Sequence, residues 1–217
     1  MEAPFLRIYA VADIHGKRHR LERVAENIRA LSPDVVVMAG DVTNFVRSRK
    51  VLSRINRLSV PVYIVRGNTD LPVVEKGLHR YNNVSTLHLK RVTVGDVTIT
   101  GVSGTALLPF RSQVRYREAH LMRQLMPLAR EASVLVAHPP PLGIRDEVMG
   151  RIHAGSRGLS RLISICRPPL MICGHIHEGT GTGRIGETMV VNCSMGRKGG
   201  GALIEMAPHR VERVTPL

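Results

Sequence analysis

The chain has 217 residues, 43% of them hydrophobic, enough to bury a sizeable core, and is read as one globular domain over residues 1–217. Its first apolar stretch, residues 5–12, is too short to cross a bilayer and lacks the basic leader and cleavage pattern of a signal peptide, so a soluble, cytoplasmic protein without membrane attachment is expected. The formal charge of +14 favours phosphate-bearing partners, nucleotides or nucleic acid among them, yet the arginines are scattered and 3% aromatic residues leave little material for base-stacking platforms.

In chain order, a β-branched run predicts a strand at 6–11, and Leu21, Val24, Ala25, Ile28 and Leu31 recur at helical spacing until Ser32-Pro33 stops the helix. A buried strand at 35–38, a helix at 46–58 and a strand at 60–65 continue the alternation, which predicts parallel βαβ architecture. Residues 91–94 and 97–100 flank Gly95-Asp96 as a hairpin, so antiparallel strands enter and a second or mixed sheet is implied. A helix at 113–130, a strand at 134–137, a helix at 158–165 and a strand at 170–173 follow, with late strands at 189–192, 202–206 and 211–214. Cys166, Cys173 and Cys193 lie in or beside apolar runs, and their odd number suits buried free thiols.

Chemistry-bearing residues follow the strands. Asp13 and His15 come after the first, Gly40-Asp41 after the second, Gly67-Asn68 after the third, His138 after 134–137, and Gly174-His175-Ile176-His177 after 170–173. In open α/β sheets the carboxyl ends of the strands form the crevice where ligands collect, so these residues are expected to converge. Oxygen donors mixed with imidazoles suit divalent ions such as Mn²⁺, Fe²⁺ or Zn²⁺. Asp41, with two carboxylate oxygens, is able to bridge two of them. A pair of ions about 3.5–4 Å apart shares a water and clamps both oxygens of an in-line displacement at phosphorus. The glycines before Asp41, Asn68 and His175 are expected to turn the backbone and leave room for ions and phosphate.

Asp-x-His, Gly-Asp, Gly-Asn, a lone His and Gly-His-x-His, in this order, resemble the signature of the calcineurin-like metallophosphoesterases. The stretches at 153–156, 174–179 and 190–192 look like its small stand-alone prokaryotic branch. The resemblance implies an α/β fold in which a two-sheet β-sandwich of mixed strands is flanked by helices. It implies two divalent metal ions, Mn²⁺ foremost with Fe²⁺, Ni²⁺ or Zn²⁺ as alternatives. Asp13, His15, Asp41 and His177 would hold the first, and Asp41, Asn68, His138 and His175 the second. Asp41, Asn68, Asp70 and His138 are the expected catalytic residues, and the expected activity is hydrolysis of phosphate esters by a metal-bridging water.

Many members of that family carry a His directly after Gly-Asn, oriented by an acidic neighbour, to protonate the leaving oxygen. Here the tetrapeptide is Gly67-Asn68-Thr69-Asp70, and a threonine is no general acid at neutral pH, so phosphodiesters or activated esters are expected over alkyl monoesters. His153 is the first candidate to replace the missing imidazole. Arg66 and Asn44 are candidates to touch phosphate, and Glu178 to orient an imidazole. Loops 103–112 and 139–156 are expected to wall the pocket. A nuclease, a non-catalytic protein-binding scaffold and a homo-oligomer are the alternatives kept.

Overall fold

The computed structural model describes residues 5–45, 48–104, 111–150, 152–196 and 199–217, with only the backbone described at 111–117. In its first half, strands β1 (Leu6–Val11), β2 (Val35–Ala39), β3 (Val62–Val65) and β4 (Val84–Thr86) alternate with helices α1 (Arg18–Leu31), α2 (Ser48–Ile55) and the short α3 (Pro72–Lys76). Leu21, Val24 and Ile28 bury one face of α1, which ends where Ser32 turns left-handed and donates its N–H to the Ile28 carbonyl, ahead of Pro33. The predicted start of α2, Val46 and Arg47, lies outside the described residues, as do residues 105–110 of the loop expected to wall the pocket.

The hairpin of β5 (Arg91–Val94) and β6 (Val97–Val102) opens the second half. It is followed by α4 (Arg111–Ala129), β7 (Val134–Ala137), the two-residue strands β8 (Glu147–Val148) and β9 (Ile152–His153), α5 (Arg157–Cys166) and β10 (Leu170–Cys173). Strands β11 (Gly181–Ile185), β12 (Thr188–Asn192), β13 (Ala202–Ala207) and β14 (Arg210–Pro216) complete the chain. Ser156 caps α5, its hydroxyl accepting the Leu159 N–H at 3.0 Å.

Two six-stranded sheets result. The first has the order β14-β13-β1-β2-β3-β4, with β1 to β4 parallel and β13 and β14 antiparallel beside them. The second, β11-β12-β10-β7-β6-β5, has four parallel strands at its centre and an antiparallel strand at each edge.

Strand alternation builds the layers. Ile8, Ala10, Val35 and Val37 of the first sheet meet Ile99, Val134, Val136, Leu170, Ile172 and Val191 of the second in a shared buried core. The intervening Tyr9, Val11, Val36 and Met38 turn the other way and pack on α1 and α2, while Leu135, Met171 and Val190 pack on α4 and α5. The arrangement is α/β/β/α, a pair of mixed sheets flanked by helices, as the resemblance implied. Fully buried Val, Leu and Ile side chains contribute about 1.5–3 kcal/mol each, so this double-faced burial is the main stabilising term. Cys166, Cys173 and Cys193 are free thiols, the last two buried.

At one edge the sheets are stitched together. The Ala12 N–H donates to the Cys193 carbonyl at 3.1 Å and the Met195 N–H to the Ala12 carbonyl at 3.0 Å, a parallel bridge from the end of β1 to the end of β12. This edge is where the carboxyl ends of the parallel strands of both sheets emerge.

Candidate metal centre

The segments leaving β1, β2 and β10 turn abruptly. Asp13, His15, Asp41 and His175 all have positive φ, 59°, 52°, 50° and 69°. Left-handed backbone at a residue other than glycine costs of order 1–3 kcal/mol, and it persists here because hydrogen bonds over-determine it. The Asp13 N–H donates to the Gly40 carbonyl at 3.0 Å, the His15 N–H to the Asp41 carbonyl at 2.7 Å, and the His175 N–H to Asp13 Oδ2 at 3.0 Å.

The glycines have a more specific reason than room for ions. A Cβ at Gly40 would collide with the His138 ring, one at Gly67 with the Asp41 carboxylate, and one at Gly174 with Ala12 and the Asp13 carboxylate. Each glycine is thus the seat of another segment's polar side chain.

Two imidazole pairs result. His15 and His177 lie edge to face with ring centroids 5.8 Å apart, and His138 and His175 at 4.9 Å. Asp13 Oδ1 faces the first pair, 3.4 Å from His177 Nε2 and 3.9 Å from His15 Nε2. Asp41 lies between the pairs, with Oδ2 3.9 Å from His15 Nδ1 and Oδ1 3.5 Å from His138 Nε2. Asn68 Oδ1 is 3.0 Å from His138 Nε2. Asp13, Asp41 and His138 form a buried floor, His15 and His175 are half-buried, and Asn68 and His177 stand exposed at the rim. All seven residues expected as metal ligands are therefore drawn into one constellation.

The donor atoms are arranged for cations. Asp13 Oδ1 is buried without a well-aligned hydrogen-bond donor. His138 Nδ1–H donates to the Ala39 carbonyl at 2.8 Å, which turns its other nitrogen toward the oxygens of Asn68 and Asp41. A lone pair facing two acceptors is repulsive until a proton or a metal ion lies between them. Asp13, His15 and His177 form one group whose ligand atoms all lie within 4.8 Å of one another, and Asp13, Asp41 and His138 form another. These residues fit divalent ions.

The charges of these groups act on one another. Burial alone would raise the Asp41 carboxyl, but hydrogen bonding and charge from His138, with the Thr69 N–H at 2.8 Å, pull it down to about 2. Burial likewise opposes ionisation of Asp13, and His177, His138 and Ser194 outweigh it, so its pKa is also lowered. Burial, then the charge of His138, depresses His175 to about 4, and burial lowers His15. His138 is raised because Asp41 and Asp13 overcome its desolvation, and His177 is raised by its hydrogen bond to Asp13.

Asp70, grouped with the catalytic residues in the sequence, has contacts of another kind. Its carboxylate accepts from the N–H of Val42 at 3.1 Å, the N–H and hydroxyl of Thr43 at 2.7 Å each, and the N–H of Gly67 at 3.0 Å. It ties the Gly-Asp segment to the Gly-Asn segment. The Thr69 hydroxyl donates to the Thr43 carbonyl at 3.0 Å and lies 3.4 Å from His15 Nδ1.

Arg66 pairs with Glu75, 2.9 Å from its Nε, and donates from Nη1 to the Asp70 carbonyl at 3.2 Å. Asn44 is exposed on the segment after Asp41. Glu178 accepts the Met149 N–H at 2.9 Å, an interaction with backbone in place of the expected imidazole. Sequence reasoning passed over Arg20, whose guanidinium reaches from α1 to the Asp13 and Gly196 carbonyls, because no motif marks it.

The calcineurin-like phosphoesterase family model matches residues 6–179. An uncharacterized protein of Methanocaldococcus jannaschii is 27% identical over 199 residues, covering 88% of each chain. A solved structure from Thermus thermophilus, that of TT1561, superposes with a TM-score of 0.73 at 14% identity, covering 98% of this chain and 99% of that one. An archaeal phosphodiesterase superposes at 0.54 and 14% identity, with 97% and 99% covered.

Proposed function

We propose that this chain, which belongs to the calcineurin-like phosphoesterase family, hydrolyses phosphodiesters at a centre of two divalent metal ions, Mn²⁺ foremost. The observation that carries the proposal is the position of Asp41, with one oxygen toward His15 and the other toward His138, between two imidazole pairs. Asp13, His15, Asp41 and His177 would hold one ion, and Asp41, Asn68, His138 and His175 the other. When bound, such ions polarise the ester and lower the pKa of water, which supplies a nucleophile at neutral pH.

The protein's own part is to fix the donors. The Ala39 carbonyl sets the His138 tautomer, the Thr69 N–H holds Asp41, and the His175 N–H holds Asp13. Held in advance, these groups need little reorganisation when charge develops on the phosphorane-like transition state. The preference for diesters rests on Thr69. Its hydroxyl, committed to the Thr43 carbonyl, brings no positive charge beside Asp41, where an imidazolium would help neutralise the nonbridging phosphate oxygens. A monoester dianion needs that neutralisation more than a diester monoanion does.

The test is to compare Mn²⁺-dependent turnover of a diester and a monoester of the same alcohol, beside Asp41→Asn. The diester is expected to be turned over faster, and Asp41→Asn to lose activity by about 10²-fold or more together with its bound metal. Equal or faster monoester turnover would sink the diester preference, and an Asp41→Asn protein with undiminished activity would sink the bridging role.

A further inference from the structure

Outside the metal centre, another polar assembly lies on the loop that follows His138. Asp146 is completely buried, and its carboxylate is fully used: Oδ2 accepts the N–H groups of Gly143 and Gly155, each at 3.0 Å, and Oδ1 lies 2.8 Å from His153 Nδ1. The Ala154 N–H also donates to the Asp146 carbonyl at 2.9 Å. His153, by contrast, has 49% of its side chain exposed. A buried carboxylate is expensive to desolvate, and this one spends its one side-chain contact on aiming an exposed ring. With Nδ1–H given to Asp146, Nε2 faces outward. The hydrogen bond and charge of Asp146, with a smaller contribution from Glu147, raise the imidazole pKa and favour the protonated ring.

The dyad is pinned to the strand ends that carry the metal centre. At one side the Ser156 N–H donates to the Pro140 carbonyl at 2.8 Å and the Leu142 N–H to the Ser156 carbonyl at 3.1 Å, just beyond His138. At the other, β8 packs on the turn His177–Gly179, and Glu178 accepts the Met149 N–H. Asn192 Nδ2 closes the frame, donating to the Ile176 carbonyl at 2.9 Å. Strand β8 thus lies beside the turn that begins at His177, and His153 sits on β9 opposite Glu147 of β8.

We propose that His153, positioned by Asp146, protonates the leaving alcohol, supplying the proton, though not the charge beside Asp41, of the imidazole whose place Thr69 takes. This rests on the phosphoesterase function proposed above. In the step, the water oxygen bonds to phosphorus as the bond from phosphorus to the leaving oxygen breaks. The electron pair of that bond takes the Nε2 proton of His153, and the proton shed by water restores the imidazolium through solvent. Asp146 acts only through His153, as a positioning residue.

His153→Gln, at an exposed position, is expected to keep the fold, checked by bound Mn²⁺ stoichiometry. The probes are diphenyl phosphate, whose leaving group needs a proton, and bis(4-nitrophenyl) phosphate, whose leaving group does not. The variant is expected to lose about 10²-fold or more of kcat/KM on the first and at most a few-fold on the second, in line with general-acid contributions of about 10²–10⁴. Asp146→Asn is expected to shift the same ratio in the same direction. Equal losses on both probes, or none on either, would overturn the assignment. If the wild type turns over neither diester, the phosphodiester proposal fails. Phenyl phosphate and 4-nitrophenyl phosphate then decide the role of His153 by the same ratio.

Discussion

Replacing Asp70 by alanine separates a brace from a catalyst. The carboxylate is 4% exposed and accepts four hydrogen bonds, three of them from the backbone N–H groups of Val42, Thr43 and Gly67. Asp70→Ala strands those buried donors, at about 1–3 kcal/mol each. Allowing for water entering the gap, a loss of about 3–6 kcal/mol is expected, a large share of the roughly 5–15 kcal/mol that holds a domain together. For a chain of this length that corresponds to a fall in Tm of roughly 6–24 °C. The assay is thermal unfolding followed by circular dichroism in EDTA, so that metal binding does not obscure the change. Asp70→Asn retains one acceptor oxygen and is expected to fall between. A drop below about 3 °C, accompanied by a tenfold loss of kcat, would refute the bracing role and return Asp70 to the chemistry.

Two further measurements probe the centre without turnover. Mn²⁺ at about 100 times its Kd stabilises the folded state by about 2.7 kcal/mol, so Tm is expected to rise by roughly 5–11 °C, and to remain unmoved in Asp13→Ala. For the metal-free protein, stability should peak near pH 6.5. His175, depressed from 6.5 to about 4, contributes stability that is complete above 6.5 and lost as pH falls toward 4, with Asp41 adding a loss between 3.8 and about 2. His138 and His177 are raised, so their contribution is complete below 6.5 and lost as pH rises through their folded values. Urea midpoints in EDTA across pH 4–9 check this, and a midpoint that climbs steadily to pH 9 would contradict it.

Much of the fold was legible because buried parallel strands are continuous β-branched runs. The strands at 6–11, 134–137 and 170–173 coincide with β1, β7 and β10. Those overlooked lack that signal. β4 has three residues, β8 and β9 two each, and β11, Gly-Thr-Gly-Arg-Ile, owes its extended form to pairing with β12. The convergence of Asp13 to His177 was legible because strand ends are a topological address. The partners of Asp70, Glu178 and Asp146 were not, since each depends on contacts across 27 to 29 residues or on the closure of a loop. The resemblance grouped Asp70 with the catalytic residues, and adjacency to His177 suggested that Glu178 would orient an imidazole. Both carboxylates accept backbone N–H groups, and buried N–H groups left without acceptors are costly.

The bridge from Ala12 to Cys193 and Met195 has a consequence for any attempt to divide the molecule. Strands β5 to β12 lie on one stretch of chain between β4 and β13, and all of them but the β8-β9 pair build the second sheet. The insert carries His138, His175 and His177, whereas Asp13, His15, Asp41 and Asn68 belong to the host. Neither part holds a complete ligand group, so an excised insert, even one that folds, would bind metal poorly. Metal content then becomes an inexpensive gauge of registry between the halves: a chimera that melts cooperatively yet retains too little metal has its two sheets joined out of step.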